Sequence, residues 1–429
     1  MDSKILPKSE GHVDRLDERA VQTPHRLFFP ALHSFQYQGF RWLWLGTFFA
    51  FMAVNMQQIT RGWLILRLTD DSPLALSLVM MSFALPLTFA SLLGGAMADR
   101  VSRRQLIIIS QCGNALLTIL LATLDATSLI RFWHLLAIGF LNGTLAGFNM
   151  PSRQSIVSDI VPKKDLMNAI SLNSAAMNLT RIIGPALAGV LIIYLNTAGV
   201  FFLIVLMHVS SVLFTSLIRE GEKGDDNTGK SMAADIIEAF KYARRNSTLL
   251  GLVIMAFVPA LFGFPYIALL PAWAREALNV QSDGLGLLMM FMGMGSLVGT
   301  LILASIKRLK RRGRFLVANS FIWGLLLIIF SRCLSYTTAL PTLFLIGLVN
   351  AVFMSLNMTL IQHHSSEAMR GRIVSMAMMT FGLMPLSAVP FGAIAERIGT
   401  AHSLGIAGIL LCLFATVFFF AHPKFRHVA

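Results

Sequence analysis

One polar pattern interrupts this apolar chain twice, in a single register. Gly139-x-x-Asn142 followed by Asn149-Met150 returns as Gly347-x-x-Asn350 followed by Asn357-Met358, 208 residues on (347 − 139 = 350 − 142 = 357 − 149 = 208). The same offset lays Arg100, Arg103 and Arg104 on Arg308, Arg311 and Arg312. A constant offset over separated segments predicts two similar halves in the same orientation, the parallel kind of internal repeat. Two equivalent halves can hold a ligand between them and rock around it. That points to transport before any single residue is weighed.

Of the 429 residues, 55% are hydrophobic and only 13% charged. Mean hydropathy is +0.69. A soluble chain carries about twice that charged fraction. Apolar stretches long enough to cross about 30 Å of hydrocarbon recur throughout. They fall at roughly 42–66, 74–98, 106–124, 132–150, 168–194, 200–218, 249–271, 284–305, 315–331, 340–361, 373–395 and 403–421. The expected fold is therefore all-α and integral to the membrane, with twelve transmembrane helices in two six-helix bundles. Its expected parts are a tail at 1–39, bundles at 40–218 and 249–421, a linker at 219–248, and a tail at 422–429. The cysteines Cys112, Cys333 and Cys412 all lie in apolar spans and suggest neither a disulfide framework nor a metal motif. The chain opens on a polar tail rather than the apolar core of a signal peptide, so its first span is expected to be retained.

The net charge of +14 would suit nucleic acid if it formed one face. Instead it lies in short clusters between the apolar spans. An even number of spans puts both termini on one side. Arg67, Arg131, Arg275, Arg332 and Arg397 fall on the other, and Arg61 and Arg181 lie within spans, so 35 − 5 − 2 = 28 basic residues share the side of the termini. Such bias sets topology: both termini are expected in the cytoplasm, in a cell (inner) membrane, with no nucleic-acid partner. In the linker, Gly221 to Gly229 reads as flexible, and Ile236, Ile237, Phe240 and Ala243 form an apolar stripe suited to a helix on the membrane surface.

The turn after the second span reads Gly95-Ala-Met-Ala-Asp99-Arg100-Val-Ser102-Arg103-Arg104. It resembles the cytoplasmic signature of the major facilitator superfamily, with Ser102 where glycine is usual. Its second-half counterpart keeps the arginines and has Lys307 in place of the aspartate. The resemblance implies a gate: Asp99 closes the cytoplasmic side against the start of span eleven, near Gly371 and Arg372. A carboxylate facing a helix N-terminus is worth roughly 0.3–1 kcal/mol, and up to about 2 kcal/mol when partly buried. Asn149 to Pro162, Asn168 to Asn173, Arg181 to Gly189 and Glu367 to Ser375 are similar to the bacterial branch containing enterobactin exporters and macrolide efflux proteins. Gly184-Pro185 is similar to the span-five motif of antiporters, although Ala188 interrupts the paired glycines. A proline and a glycine inside a span favour a bend at a moving interface; ordinary packing accounts equally for Gly189.

Polar residues inside spans are costly and turn to the interior. Asn55, Gln58 and Arg61 follow one another at three-residue spacing, and Gln57 and Arg61 are four apart, so they can share a face of the first span. Asn178 and Arg181 share a face that runs on to Pro185. The pairs Asn142/Asn149 and Asn350/Asn357 are each seven apart, and serve either helix packing or ligand contact. The resemblance implies a cavity ringed by spans one, four, seven and ten, to which span seven adds Tyr266, the repeat mate of Gln58 (266 − 58 = 208). The candidate substrate contacts are thus Asn55, Gln57, Gln58, Arg61, Asn142, Asn149, Asn178, Arg181, Tyr266, Asn350 and Asn357. The methionines, with Phe51, Phe148 and Phe264, could line an adaptable apolar pocket, although lipid contact and packing explain most of them more simply. His208 is expected to pack in a peripheral span.

No acidic residue lies deep in any span, so the carboxylate that many proton-coupled exporters use is missing or displaced. A cavity with two arginines and no acid favours an amphipathic anion such as a catecholate siderophore. Moving one negative charge out of a negative interior gains about 2.3 kcal/mol per 100 mV. The resulting expectation is a monomeric efflux carrier that exports small amphipathic compounds of siderophore or macrolide type by alternating access. Proton coupling stays open. The alternatives are a lysophospholipid flippase of the same fold and a non-transporting receptor or scaffold. No span carries a nucleophile–base pair, a metal cluster or paired carboxylates, so neither enzyme nor cofactor is expected. Nucleotide-driven transport lacks its phosphate loop.

Overall fold

A computed structural model describes residues 30–98, 101–218, 240–242, 244, 246–306 and 311–427. Among them every long element is an α-helix and no strand occurs. The first half contains α1 (Gln38–Leu68), α2 (Pro73–Ala98), α3 (Arg103–Ala126), α4 (Phe132–Ile160) and α5 (Leu166–Ser216). The second contains α6 (Ser247–Phe262), α7 (Pro265–Leu278), α8 (Ser282–Ser305), α9 (Arg312–Ser331), α10 (Tyr336–His364), α11 (Glu367–Ile398) and α12 (Thr400–Ala421). Eight helical segments are long and apolar enough to cross a membrane. In lipid only a helix satisfies its own backbone, so a chain of this hydropathy has no other spanning choice. α1 and α4, of 31 and 29 residues, also reach that length, but their polar side chains dilute their hydropathy.

Local chemistry divides the helices differently from hydropathy. The fifth and sixth apolar stretches merge into α5, which bends at Asn196 (φ 57, ψ 177), a left-handed φ that asparagine tolerates better than most residues. The seventh stretch breaks at Gly263, and Pro265 occupies the first turn of α7, where its missing N–H costs nothing. Ser102 caps α3 through the amide of Gln105, and the Asn246 side chain accepts from the amides of Thr248 and Leu249 to start α6.

The repeat seen in the polar motif returns in the helices. α6, α8 and α9 begin one constant step after α1, α2 and α3 (247 − 38 = 282 − 73 = 312 − 103 = 209). Pairing follows suit: α2 packs on α4 as α8 packs on α10, and α3 packs on α5 as α9 packs on α12. Across the halves, α5 lies against α8 and α2 against α11. The repeat exchanges these two contacts, because α2 corresponds to α8 and the first part of α5 to α11. A reciprocal contact of that kind is what a twofold relation requires.

Backbones approach closely where glycine permits. A Cβ on Gly189 would meet the Ser282 carbonyl, and one on Gly392 would meet the Ser77 hydroxyl. Both contacts lie where α2 and α8 begin. At this same end Arg275 Nη1 sits 2.8 Å from Asp71 Oδ1, with its guanidinium 5.4 Å from the Trp63 ring centre. Ser72 Oγ and the Leu74 amide donate to Glu396 Oε2 at 2.8 and 3.3 Å, and Ser282 Oγ donates to the Gly189 carbonyl at 2.9 Å. Among the residues whose side chains are described, which leave out 92–98, 367–368, 370–372 and 375–385, the hydrogen bonds and the ion pair between the halves lie at this end. Of the expected surface helix, Ile236, Ile237 and Ala243 lie outside the described residues, while Phe240 is helical and exposed.

Candidate functional site

Two adjoining chambers lie between the halves. The first, about 300 Å³, is walled mainly by α1, α2, α4 and α7, with Asn114 of α3, His208 of α5 and Met289 of α8. The second, about 450 Å³, is walled by α1, α5, α7, α8 and α10. Gln58, Ile267 and Met289 line both. The first chamber is nearer the bonded end: on α7 it touches 267–271, and the second touches 264–267. Along α8 the second chamber runs from Met289 to Thr300, a rise of about 16 Å at 1.5 Å per residue.

The polar face of α1 divides between them. Gln57 and Arg61 line the first chamber and Asn55 the second, while Gln58 is exposed to both. Arg61 Nη2 donates to Asn142 Oδ1 at 2.8 Å, and Asn142 Nδ2 donates to Asn114 Oδ1 at 2.8 Å. Gln57 Nε2 reaches Thr118 Oγ1 at 3.5 Å. Asn55 Nδ2 is held by the Phe51 carbonyl at 2.7 Å and lies 3.4 Å from Thr180 Oγ1.

The second chamber gathers Asn178, Arg181, Pro185, Tyr266 and Asn350. Tyr266 is buried, and its hydroxyl donates to Met292 Sδ at 3.3 Å. Arg181 is exposed to the chamber although it lies mid-helix, because the cavity is the space it faces. Among the described residues it makes no hydrogen bond or ion pair. Ser296, Thr300 and Ser355 complete the polar wall, with Met289, Met292, Met354 and Phe264 as its apolar part.

Other candidate residues lie elsewhere. Asn149 and Asn357 line neither chamber. Asn149 Nδ2 contacts the Ile107 carbonyl at 3.4 Å, and Asn149 Oδ1 accepts from Arg153 at 3.2 Å. The buried Asn357 Oδ1 has no partner. Phe51 and Phe148 line neither chamber. Gly184 and Pro185 pack α5 tightly: a Cβ on Gly184 would meet the Asn55 Cβ, and the Pro185 carbonyl lies against Gly286. Arg103 binds Asp159 at 2.6 Å and the Ser155 carbonyl at 3.3 Å, and Arg104 reaches the carbonyls of Thr215 and Ser216. These two arginines therefore tie α3 to α4 and to the end of α5. Gly95 lies in α2, and Gly371 and Arg372 in α11. Asp99 and Arg100 fall outside the described residues.

Sequence reasoning passed over three residues. Asn114 completes the Arg61 chain from α3, which is not among the spans expected to ring the cavity. His208 lines the first chamber, with Nδ1 2.8 Å from Gln111 Oε1, rather than only packing. Arg153, beyond the apolar stretch expected at 132–150, is a buried residue of α4, because that helix continues to Ile160.

Residues 30–428 match the family described as transmembrane secretion effector. The staphyloferrin A transporter of Staphylococcus aureus (strain NCTC 8325 / PS 47) is 25% identical over 393 residues, covering 90% of this chain and 97% of that protein. The enterobactin exporter EntS of Shigella flexneri is 24% identical over 293 residues, covering 66% of this chain and 67% of its own length. In fold the chain is similar to a bacterial homologue of the human lysosomal transporter Spinster, solved inward-facing and unoccupied. That likeness has a TM-score of 0.69 at 16% identity and covers 90% of this chain and 97% of the other. The chain belongs to the transmembrane secretion effector family, and with it to the major facilitator transporters, as a multi-pass membrane protein that carries small molecules and is not an enzyme.

Proposed function

We propose that this transporter exports an amphipathic anion of siderophore type by alternating access between two six-helix bundles, 40–218 and 249–421. The twelve spans of that arrangement are α1 to α4, the two parts of α5, α6 with α7, and α8 to α12. Both termini lie in the cytoplasm of a cell whose inner membrane holds the protein as a monomer. The basic residues on that side and the polar signature after α2 support this orientation. The bonded end is then the outer face, so the chambers stand ready for cytoplasmic cargo.

One observation carries the substrate class: Arg181 faces the second chamber without a partner among the described residues. A guanidinium inside a membrane protein costs at least roughly 2.5–3.5 kcal/mol, which a bound anion offsets. Gln58, Asn178 and Asn350 supply neutral hydrogen bonds around it. Arg61 holds Asn142 and shapes the neighbouring wall. With a negative interior, the membrane potential itself drives the anion outward.

The test is flux in proteoliposomes. A catecholate siderophore should cross the wild-type protein faster as the potential pushing anions outward is raised. Arg181→Gln should slow this flux about tenfold or more, as expected for one lost charge-assisted contact. An uncharged amphipathic compound should be affected little. Equal siderophore flux through wild type and variant at every potential would refute the anion reading.

A further inference from the structure

The two chambers differ in what they leave uncommitted. In the first, most polar side chains are engaged with protein: Arg61 with Asn142, Asn142 with Asn114, Gln57 with Thr118, and His208 Nδ1 with Gln111, which leaves Gln58 at the junction and the buried His208 Nε2 without a hydrogen-bond partner among the described residues. Arg61 Nε has no partner, but it is buried and does not reach the open space. Away from Gln58 the free surface of that chamber is therefore mainly apolar, built by Val54, Val79, Met80, Phe83, Ile267 and Met289. In the second, Gln58, Asn178, Arg181 and Asn350 line the space with no hydrogen-bond partner among the described residues. Gln58, Ile267 and Met289 border both spaces, so the two chambers adjoin.

We propose that cargo is held in two parts, its apolar body in the first chamber and its anionic end at Arg181 in the second. The body then points toward the bonded end and the charge away from it. About 300 Å³ accommodates a fused aromatic pair or a short branched chain, not a long acyl chain. Methionine and phenylalanine walls adapt to different bodies, so selectivity lies in the charge rather than in the shape of the body. Gln58, exposed at the junction, meets the atoms that link the two parts. This inference deepens the export reading and rests on it for the direction of travel, but not for the binding geometry.

Two fluorescent probes with one body separate the contributions. 8-Anilinonaphthalene-1-sulfonate carries a charge, and N-phenyl-1-naphthylamine is its uncharged counterpart. Binding is measured to the full-length protein in lipid nanodiscs, with empty nanodiscs subtracted. Filling the chamber with Met80→Trp should weaken both probes about tenfold or more. Met80→Ala, which removes wall atoms without crowding the fold, should weaken both about fivefold. Arg181→Gln should weaken the sulfonate alone, about tenfold. The proposal is overturned if both Met80 variants bind both probes like wild type, or if Arg181→Gln weakens the two probes equally. If the probes behave as expected but siderophore flux ignores Arg181, the export reading fails and the two-part site stands.

Discussion

Arg153 is a buried cation with no carboxylate beside it among the described residues. Its Nε donates to Asn149 at 3.2 Å, Nη1 to Thr47 at 3.2 Å and Nη2 to Ser211 at 3.3 Å. Ser211 in turn donates to the Gly46 carbonyl at 2.7 Å. One planar fork thus ties α1, α4 and the second part of α5. Arg153→Ala would leave Asn149 Oδ1 and Thr47 Oγ1 without this donor, at about 1–3 kcal/mol each. Its thermal unfolding should occur well below wild type, and Arg153→Lys should not rescue it, since one ammonium cannot reach three diverging partners. A melting temperature unchanged in both variants would show that the fork holds nothing together. No sequence pattern exposes this role, because Arg153 follows Pro151 and resembles a basic residue just past a helix end. Arg61 and Arg181 were legible as intramembrane cations. Their separation into a bonded and a free guanidinium was not, because it depends on whether an Asn faces them across the gap.

Helix packing makes repeat-related positions unequal. Gly139 and Gly347 occupy the same place in the polar motif, yet their neighbours differ. A Cβ on Gly347 would strike the Met292 backbone carbonyl, whereas one on Gly139 would meet first the Ser82 hydroxyl, a side chain able to rotate away. Small residues at such crossings let membrane helices approach, and van der Waals contact is much of what holds them together. Gly347→Ala should therefore lower stability by about 1–3 kcal/mol, the range for overpacking. Gly139→Ala should cost clearly less. Urea or thermal unfolding of the two variants in one detergent checks the order, and an equal loss would show that the Ser82 hydroxyl cannot move. The helix pattern itself was readable from hydropathy almost throughout. The merging at Asn196 and the break at Gly263 were not, because apolar content is blind to a single left-handed residue or a lost backbone bond.

On the scale of the whole molecule, the symmetry is broken at the bonded end. Arg67 and Arg275 are repeat mates (275 − 67 = 208), but Arg67 pairs with Asp125 inside its own half and Arg275 reaches Asp71 of the other. The position equivalent to Asp125 is Cys333 (333 − 125 = 208), so Arg275 has no acid there and crosses the interface instead. The Arg275–Asp71 pair is well exposed, and pairs of this kind contribute about 0–1 kcal/mol. That suits a latch under the proposed alternating access, in which such a contact has to release in every cycle. Arg275→Gln should tip the balance toward the outward-open state about fivefold or less. With Cys112 and Cys412 replaced by serine, Ile65→Cys in the first chamber reports the change through labelling by an impermeant maleimide from outside. Identical labelling rates with and without Arg275 would remove the latch from the mechanism.

The amino-acid order alone determined that this chain is helical, resides in a membrane, and consists of a repeated unit. Those properties follow from hydropathy, backbone hydrogen bonding in lipid, and a constant offset, all of which are local or periodic. Only the tertiary structure decided which polar groups spend their hydrogen bonds on one another and which face open space. That choice depends on side chains far apart in sequence meeting across helix interfaces, where a few ångströms separate a structural bond from a binding contact.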